Sequence, residues 1–300
     1  MLTVVALFTL LFAAEVSIAK VTPLSFNELA SFAPYTQFAR AAYCPSTKQK
    51  DWNCGQACQA NENFQITHVA GDGNVMQFYY VGYWPEQNSV VVAHEGTDPE
   101  QLVSVLRDLN IPPQRLDPTI FPGVPAGVLA HGGFTDEHAL TAATILAQTK
   151  EVIANTNATT VTLVGHSLGG ALAELDALFM AINLPSDIHV KAVTYGTPRV
   201  GNLAWAKYFD SMVPDFVRIN NQADIVPIVP GRDLGFAHPH GEIHLLGPGK
   251  AVSCPGNDDA VDAQCTIKTV PFITLPDLPL HMLNHLGPYE GISIGTIFCD

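Results

Sequence analysis

Apolar and polar positions change their period along the chain, and the changes separate strands from helices. Gln65 to Val69, Val75 to Tyr83 and Ser89 to Ala93 are short runs rich in Val, Phe and Tyr, parted by Gly-Asp-Gly and Pro-Glu-Gln-Asn. They predict an antiparallel meander. From Asp136 to Asn155 the period turns helical, with Leu140, Ile145, Leu146, Val152 and Ile153 forming an apolar stripe, and Val161 to Val164 then reads as a buried strand. A helix from about Leu168 to Ile182, a strand from Val190 to Tyr195, a helix near Leu203 to Ser211 and a strand from Phe216 to Ile219 follow in alternation. Such an order requires parallel crossovers, so the pattern predicts an α/β sheet. No repeat, low-complexity tract or linker divides residues 20–300, for which one domain is expected.

The first residues follow a different logic. Leu2 to Ala14 is a near-continuous apolar run, and Val16-Ser17-Ile18-Ala19 places small residues where a signal peptidase cuts, so 1–19 reads as a secretory signal peptide. The run is shorter than the roughly 20 residues of a membrane span, and no transmembrane anchor is expected. An extracellular destination changes the reading of the six cysteines. An even number in an exported chain implies three disulfides, although the count alone allows about fifteen pairings. Asn157-Ala158-Thr159 is a glycosylation sequon.

The chain carries 28 acidic against 14 basic residues, a formal charge of −14. A surface of that sign repels nucleic acid and strongly anionic membranes, and neutral substrates suit it better.

Candidate chemistry concentrates in "VTLVGHSLGGALAELDALFMAI", residues 161–182. Gly165-His166-Ser167-Leu168-Gly169 stands between the predicted strand and the predicted helix, the arrangement of a nucleophile elbow. The turn lifts the Ser167 hydroxyl clear of the sheet at a helix N-terminus, where the backbone N–H of Leu168 would be one oxyanion donor. A serine hydroxyl needs a histidine base, and the histidine needs a carboxylate to fix its tautomer. On such a fold the order is Ser, Asp, His. Asp224 in "VRINNQADIVPIVP" sits just beyond a strand end, where a solvated turn aspartate would look the same. His238, His240, His244, His281 and His285 all lie downstream, and the pattern alone does not choose among them. The His238-Pro239-His240-Gly241-Glu242-Ile243-His244 run suggests metal ligands, but Pro239 and Gly241 prevent a helix with ligands on one face and no nearby cysteine completes a set. No metal or cofactor is expected.

With these segments in view, the chain from about Tyr43 to Cys299 resembles the class 3 lipases, secreted α/β-hydrolases best known from fungi. The likeness rests on "VVAHEGTD", "HGGF", "VTLVGHSLGGALAEL", "YGTPRVGN", "NNQADIVP" and "NHLGPY", in that order. It implies a central, mostly parallel sheet flanked by helices, with a short helical lid. It also implies hydrolysis of triacylglycerols and related lipid esters at an oil–water interface, with only transient contact to the lipid surface. By matching motifs, Ser167 is the implied nucleophile, Asp224 the orienting acid and His285 the base, whereas His281 lies outside the "HLGPY" match. Thr97 falls where the family places the second oxyanion donor. Relatives usually carry Arg before the preceding glycine, where this chain has Glu95. Asp108 resembles the family's lid aspartate. Disulfides Cys44 to Cys299, Cys54 to Cys58 and Cys254 to Cys265 are expected, partly from the short loops between the last two pairs and partly from the resemblance.

The lid expectation concerns "DPEQLVSVLRDLNIPP", residues 98–113. Asp98 is a good N-cap, Pro99 suits the first helical position and Pro112-Pro113 stops the helix. Leu102, Val105, Leu106 and Leu109 make one apolar stripe. Periodicity alone fits a core-facing helix equally well. The position directly after Thr97 and the proline-rich stretch from Ile111 to Pro125 favour a lid. Two other readings stand beside a lipase: a feruloyl-type or other soluble-ester esterase on the same fold, and a catalytically silent binding protein. The complete set Ser167, Asp224, His285 and Thr97 argues against the last.

Overall fold

The computed structural model describes residues 20–98, 112–258, 261–270 and 278–299. Residues 1–19 lie outside the described residues, as do Leu102, Val105, Leu106, Asp108 and Leu109 of the expected lid. In chain order the strands are β1 (Thr22–Pro23), β2 (Gln65–Ala70), β3 (Tyr79–Trp84), β4 (Ser89–His94), β5 (Gln114–Arg115), β6 (Leu129–Ala130) and β7 (Thr160–His166). There follow β8 (His189–Tyr195), β9 (Gly201–Asn202), β10 (Asp215–Asn221), β11 (Phe236–Ala237), β12 (Glu242–Gly247) and β13 (Lys250–Ser253). The helices are α1 (Phe26–Ala30), α2 (Ala33–Ala41), α3 (Ser46–Lys50), α4 (Gln56–Gln59), α5 (Gly132–Thr156), α6 (Leu168–Asn183), α7 (Leu203–Met212), α8 (Thr266–Thr269) and α9 (Leu278–Leu286).

Nine strands form one sheet in the order β1-β13-β12-β10-β8-β7-β4-β3-β2. Its centre, β4-β7-β8-β10-β12, is parallel throughout. The β2-β3-β4 meander on one side and β12-β13-β1 on the other pair antiparallel. Short strands β5, β6, β9 and β11 make a second, four-stranded sheet. The fold is that of an α/β-hydrolase, with a central and largely parallel sheet flanked by helices.

Two starts differ from the pattern reading by four residues, the other strand and helix ends by less. β3 starts at Tyr79, not Val75, because the Asp72 carboxylate accepts the N–H groups of Asn74, Val75 and Met76 and folds that stretch into a turn. α5 starts at Gly132, ahead of its apolar stripe, because Gly132-Gly133 carries no helix signal although the backbone there is already helical.

Side chains alternate across the sheet with the period of two that strands impose. Val90, Val92, Val161 and Leu163 face the layer of α5, α6 and α7, packing with Ile145, Leu175 and Trp205. Val91, Ala93, Val164 and Val193 face the α2 layer, packing with Phe38, Tyr80, Tyr195 and Tyr289. Disulfides join Cys44 to Cys299, Cys54 to Cys58 and Cys254 to Cys265. The first of these fixes the end of α2 to the C-terminal residues. Parallel strands point their carboxyl ends the same way, so the segments after β4, β7 and β10 gather at one edge of the sheet, where open α/β sheets build their sites.

Candidate active site

β7 ends at His166 and α6 begins at Leu168, so Ser167 alone makes the turn between them. Its backbone takes φ 59° and ψ −128°, a conformation that costs a residue with a side chain about 1–3 kcal/mol. Neighbouring glycines make the turn possible. A Cβ on Gly165 would run into the backbone of Gly169, and one on Gly169 into the carbonyls of His94 and Glu95. The Ser167 N–H donates to the Tyr195 carbonyl at 2.9 Å, which pins the elbow to β8. Ser167 therefore stands at the N-terminus of a 16-residue helix. The first N–H groups of such a helix, that of Leu168 included, have no acceptor within it and favour negative charge.

The exit of β4 forms the neighbouring wall. A Cβ on Gly96 would collide with the His166 carbonyl and the Tyr43 hydroxyl, and would lie 2.9 Å from the Ser167 Cβ. Only a glycine lets the two segments approach so closely, and the residue that follows is Thr97. Thr97 is buried, and its hydroxyl has no hydrogen-bond partner among the described residues. A buried hydroxyl left in that state is costly.

Asp224 lies just beyond β10 and is fully buried. Its Oδ1 accepts the Val226 N–H at 2.9 Å, and its Oδ2 lies 2.9 Å from Nδ1 of His285, near the end of α9. An ionised carboxylate only accepts, so Nδ1 of His285 carries the proton and Nε2 holds the lone pair. That Nε2 is buried with no hydrogen-bond partner among the described residues. The other four histidines are engaged elsewhere. His238 bonds the Pro227 carbonyl at 2.8 Å, His240 pairs with Asp210 at 2.5 Å, and His281 bonds the Ala223 carbonyl at 2.5 Å. His244 lies between the carbonyls of Gln264 and Gln222. His281 thus braces the loop of Asp224 through the preceding residue.

Three further side chains reach this site without having been singled out in the sequence. Nε2 of His166 lies 2.8 Å from the His285 carbonyl, which also accepts the Tyr289 hydroxyl at 2.9 Å. A carbonyl cannot donate, so Nε2 of His166 is protonated and its Nδ1 accepts the Tyr43 hydroxyl at 2.7 Å. Burial, and then the neighbouring His285, push the basicity of His166 well below the usual histidine range. His166 and Tyr289 belong to the quoted motifs and Tyr43 precedes Cys44, so their positions were visible while their bonding was not.

Charge around the site is otherwise muted. Burial pushes the Glu95 carboxyl up to about 7, while its Oε2 accepts the Phe78 N–H at 3.0 Å. A glutamate thus holds the end of β4 by a backbone bond. Asp176 of α6 bridges His94 at 2.6 Å and His138 at 2.9 Å. Burial alone would raise its carboxyl, but the two histidines outweigh burial and bring it down to about 2. Glu242, Cys254 and Cys265 come close enough to suggest metal ligands, yet the two cysteines are bonded to each other. Asn157 is exposed at the C-cap of α5, in a left-handed conformation.

Comparison with known proteins places this geometry. Residues 91–234 match the family described as lipase (class 3). A secreted mono- and diacylglycerol lipase of Malassezia globosa is 32% identical over 229 residues, covering 76% of this chain and 72% of that protein. A lipase of Rhizomucor miehei is 27% identical over 276 residues, covering 90% of this chain and 70% of that one. Among solved structures, a triacylglycerol lipase whose catalytic centre is described as a serine protease triad superposes with a TM-score of 0.78 at 26% identity, covering 94% of this chain and 100% of that one. Lipase II from Rhizopus niveus gives 0.76 at 26% identity, covering 92% and 99%.

Proposed function

The chain belongs to the class 3 lipase family, and from that premise we propose that Ser167, His285 and Asp224 hydrolyse acylglycerol esters through an acyl-enzyme. The observation that carries the assignment is the 2.9 Å contact between Asp224 and Nδ1 of His285, with Nε2 left without a partner among the described residues. Ser167 attacks the ester carbonyl while Nε2 of His285 takes its proton. The N–H groups of Leu168 and Thr97, with the Thr97 hydroxyl, hold the oxyanion of the tetrahedral intermediate. His285 then protonates the departing alcohol. Water activated by the same Nε2 frees the acid and restores the serine.

The substrate reading draws on the relatives, which are named for mono-, di- and triacylglycerols. Contact with a lipid surface is supported by Leu280 and Leu283, which are 57% and 64% exposed on the helix that carries His285. The segment 98–113, expected to be a lid, lies outside the described residues from 99 to 111. Secretion is supported by relatives named as secreted and by the three disulfides, which suit an oxidising compartment. No described helix is long and apolar enough to cross a membrane.

The test is Ser167→Ala beside labelling with an organophosphonate. The substitution should cut turnover on a soluble ester by at least about 10³-fold, and the wild-type chain should take up one stable label at Ser167. Unchanged turnover, or no label, refutes the assignment.

A further inference from the structure

The oxyanion segment Gly96–Thr97, the nucleophile turn at His166–Ser167 and the base His285 come from three distant parts of the chain. Reaction requires such groups to keep their relative places within about 0.5 Å. Pairing of β4 with β7 ends at His94 and Gly165, so Gly96 and Thr97 lie beyond the ladder. Something other than the sheet has to fix them against the turn.

Tyr43, just past the end of α2, is buried and stands at that point. Its hydroxyl lies 2.7 Å from Nδ1 of His166, the residue before Ser167. A Cβ on Gly96 would fall 2.3 Å from the same hydroxyl and 2.3 Å from the His166 carbonyl, so the backbone of the oxyanion segment runs in contact with both. His166 carries the connection further, because its Nε2–H donates to the His285 carbonyl at 2.8 Å. Burial, and then Glu95, push the Tyr43 hydroxyl well above the usual tyrosine range, against the pull of the Gly96 N–H. The hydroxyl therefore keeps its proton. It donates that proton to His166 and turns its lone pairs to the Gly96 N–H. Tyr43 is anchored from behind as well: its own N–H donates to the Arg40 carbonyl at 3.1 Å, and the next residue, Cys44, is bonded to Cys299.

We propose that Tyr43 is a positioning residue for ester hydrolysis, whose hydroxyl fixes the oxyanion segment to the nucleophile turn and, through His166, to the base. The inference rests on the assignment of Ser167 and His285 made above. Tyr43 bonds neither of their reacting atoms. Loss of its hydroxyl misplaces donors that meet the oxyanion only in the transition state, so the effect falls on kcat and not on KM.

Tyr43→Phe keeps the ring and removes only the hydroxyl. The assay uses a soluble short-chain ester, with competent sites counted by organophosphonate titration taken to completion. Turnover per titrated site should fall about tenfold or more, while KM stays within about twofold. A merely structural role would lower the number of titratable sites and the melting temperature, and would leave kcat per site unchanged. His166→Gln keeps an N–H donor for the His285 carbonyl but has no acceptor at the Nδ1 position. It should also lose about tenfold or more in kcat, and it decides the matter if Tyr43→Phe fails to fold. Both changes break one bond, so the double variant should fall no more than about threefold below the lower single variant. Wild-type kcat per site in either single variant, a raised KM at unchanged kcat, or losses that multiply in the double variant would overturn the proposal. Ser167→Ala, assayed alongside, keeps the two readings apart. If it retains turnover, the serine assignment fails; if it loses turnover while Tyr43→Phe matches wild type, the role of Tyr43 alone is refuted.

Discussion

His166 and His285 lie ring over ring, with centroids 4.4 Å apart and planes inclined by 31°. Two imidazoles this close in a buried site cannot both be charged without strong repulsion. Burial keeps His166 neutral, and its two nitrogens are committed to Tyr43 and to the His285 carbonyl. In the proposed mechanism the positive charge formed during turnover is thus left to His285, whose Nδ1 proton points at Asp224.

That tautomer gives the first prediction. Asp224→Asn preserves shape but offers an amide N–H to Nδ1, which favours the proton on Nε2 and removes the base. Turnover on a soluble ester at saturating substrate should fall by about 10⁴-fold, with the melting temperature little changed. A loss of less than about tenfold would mean that Asp224 does not set the tautomer.

Thr97→Val separates rest from reaction. The hydroxyl is buried and has no partner among the described residues, so its removal should raise stability toward urea by up to about 1–3 kcal/mol. The same change should lower kcat by about 10²–10³-fold if the hydroxyl is an oxyanion donor. A more stable and equally active variant would leave the backbone N–H groups as the whole oxyanion hole.

Stability should also depend on pH. Burial raises Glu95 to about 7 and Glu174 to about 8, against about 4.3 for a free glutamate. Between those values the folded state keeps protons that the unfolded chain has lost, so stability is full below about 4.3 and declines as pH rises through 7 to 8. Asp176, held near 2, acts in the opposite sense below about 4, and His166 and His238, which burial pushes well below the usual histidine range, act in that sense up to about 6.5. Between pH ~6.5 and ~8 melting curves should therefore shift downward with pH, and Glu95→Gln should flatten the slope. A melting temperature that rises from pH ~6.5 to ~8 contradicts this account.

The lid reading is tested by Leu102→Ser combined with Leu106→Ser. Activity on emulsified triglyceride should fall by about tenfold or more, while activity on a soluble short-chain ester holds within about twofold. Equal losses on both substrates would mean that the stripe is core and would favour the soluble-ester esterase.

Local pattern carried much of this architecture. The period-two runs of the meander and the alternation from Val161 to Ile219 are local signals, and strands and helices stand there. Where side chains competed with the backbone, the pattern misled. Asp72 pulls Val75 and Met76 out of β3 through its carboxylate, which no periodicity registers. At the candidate site, Ser167 was legible because its glycines are adjacent in sequence and serve one turn. The proposed base was not, since five histidines follow Asp224 and Asp224 meets its partner across a separation of 61 residues. Only resemblance pointed to His285. The bond from Tyr43 to His166 spans 123 residues, and nothing local announces it.

The Cys44–Cys299 bridge makes the protein a closed ring of covalent bonds over a sequence separation of 255 residues. A single proteolytic cut between those two cysteines opens the ring without releasing a fragment. Exposed loops are where proteases cut, so an enzyme working outside the cell can be nicked once and keep its serine turn and its histidine loop in one molecule. On a denaturing gel the damage would show only after reduction, and a nicked molecule would retain its effective local concentration of both halves for re-docking.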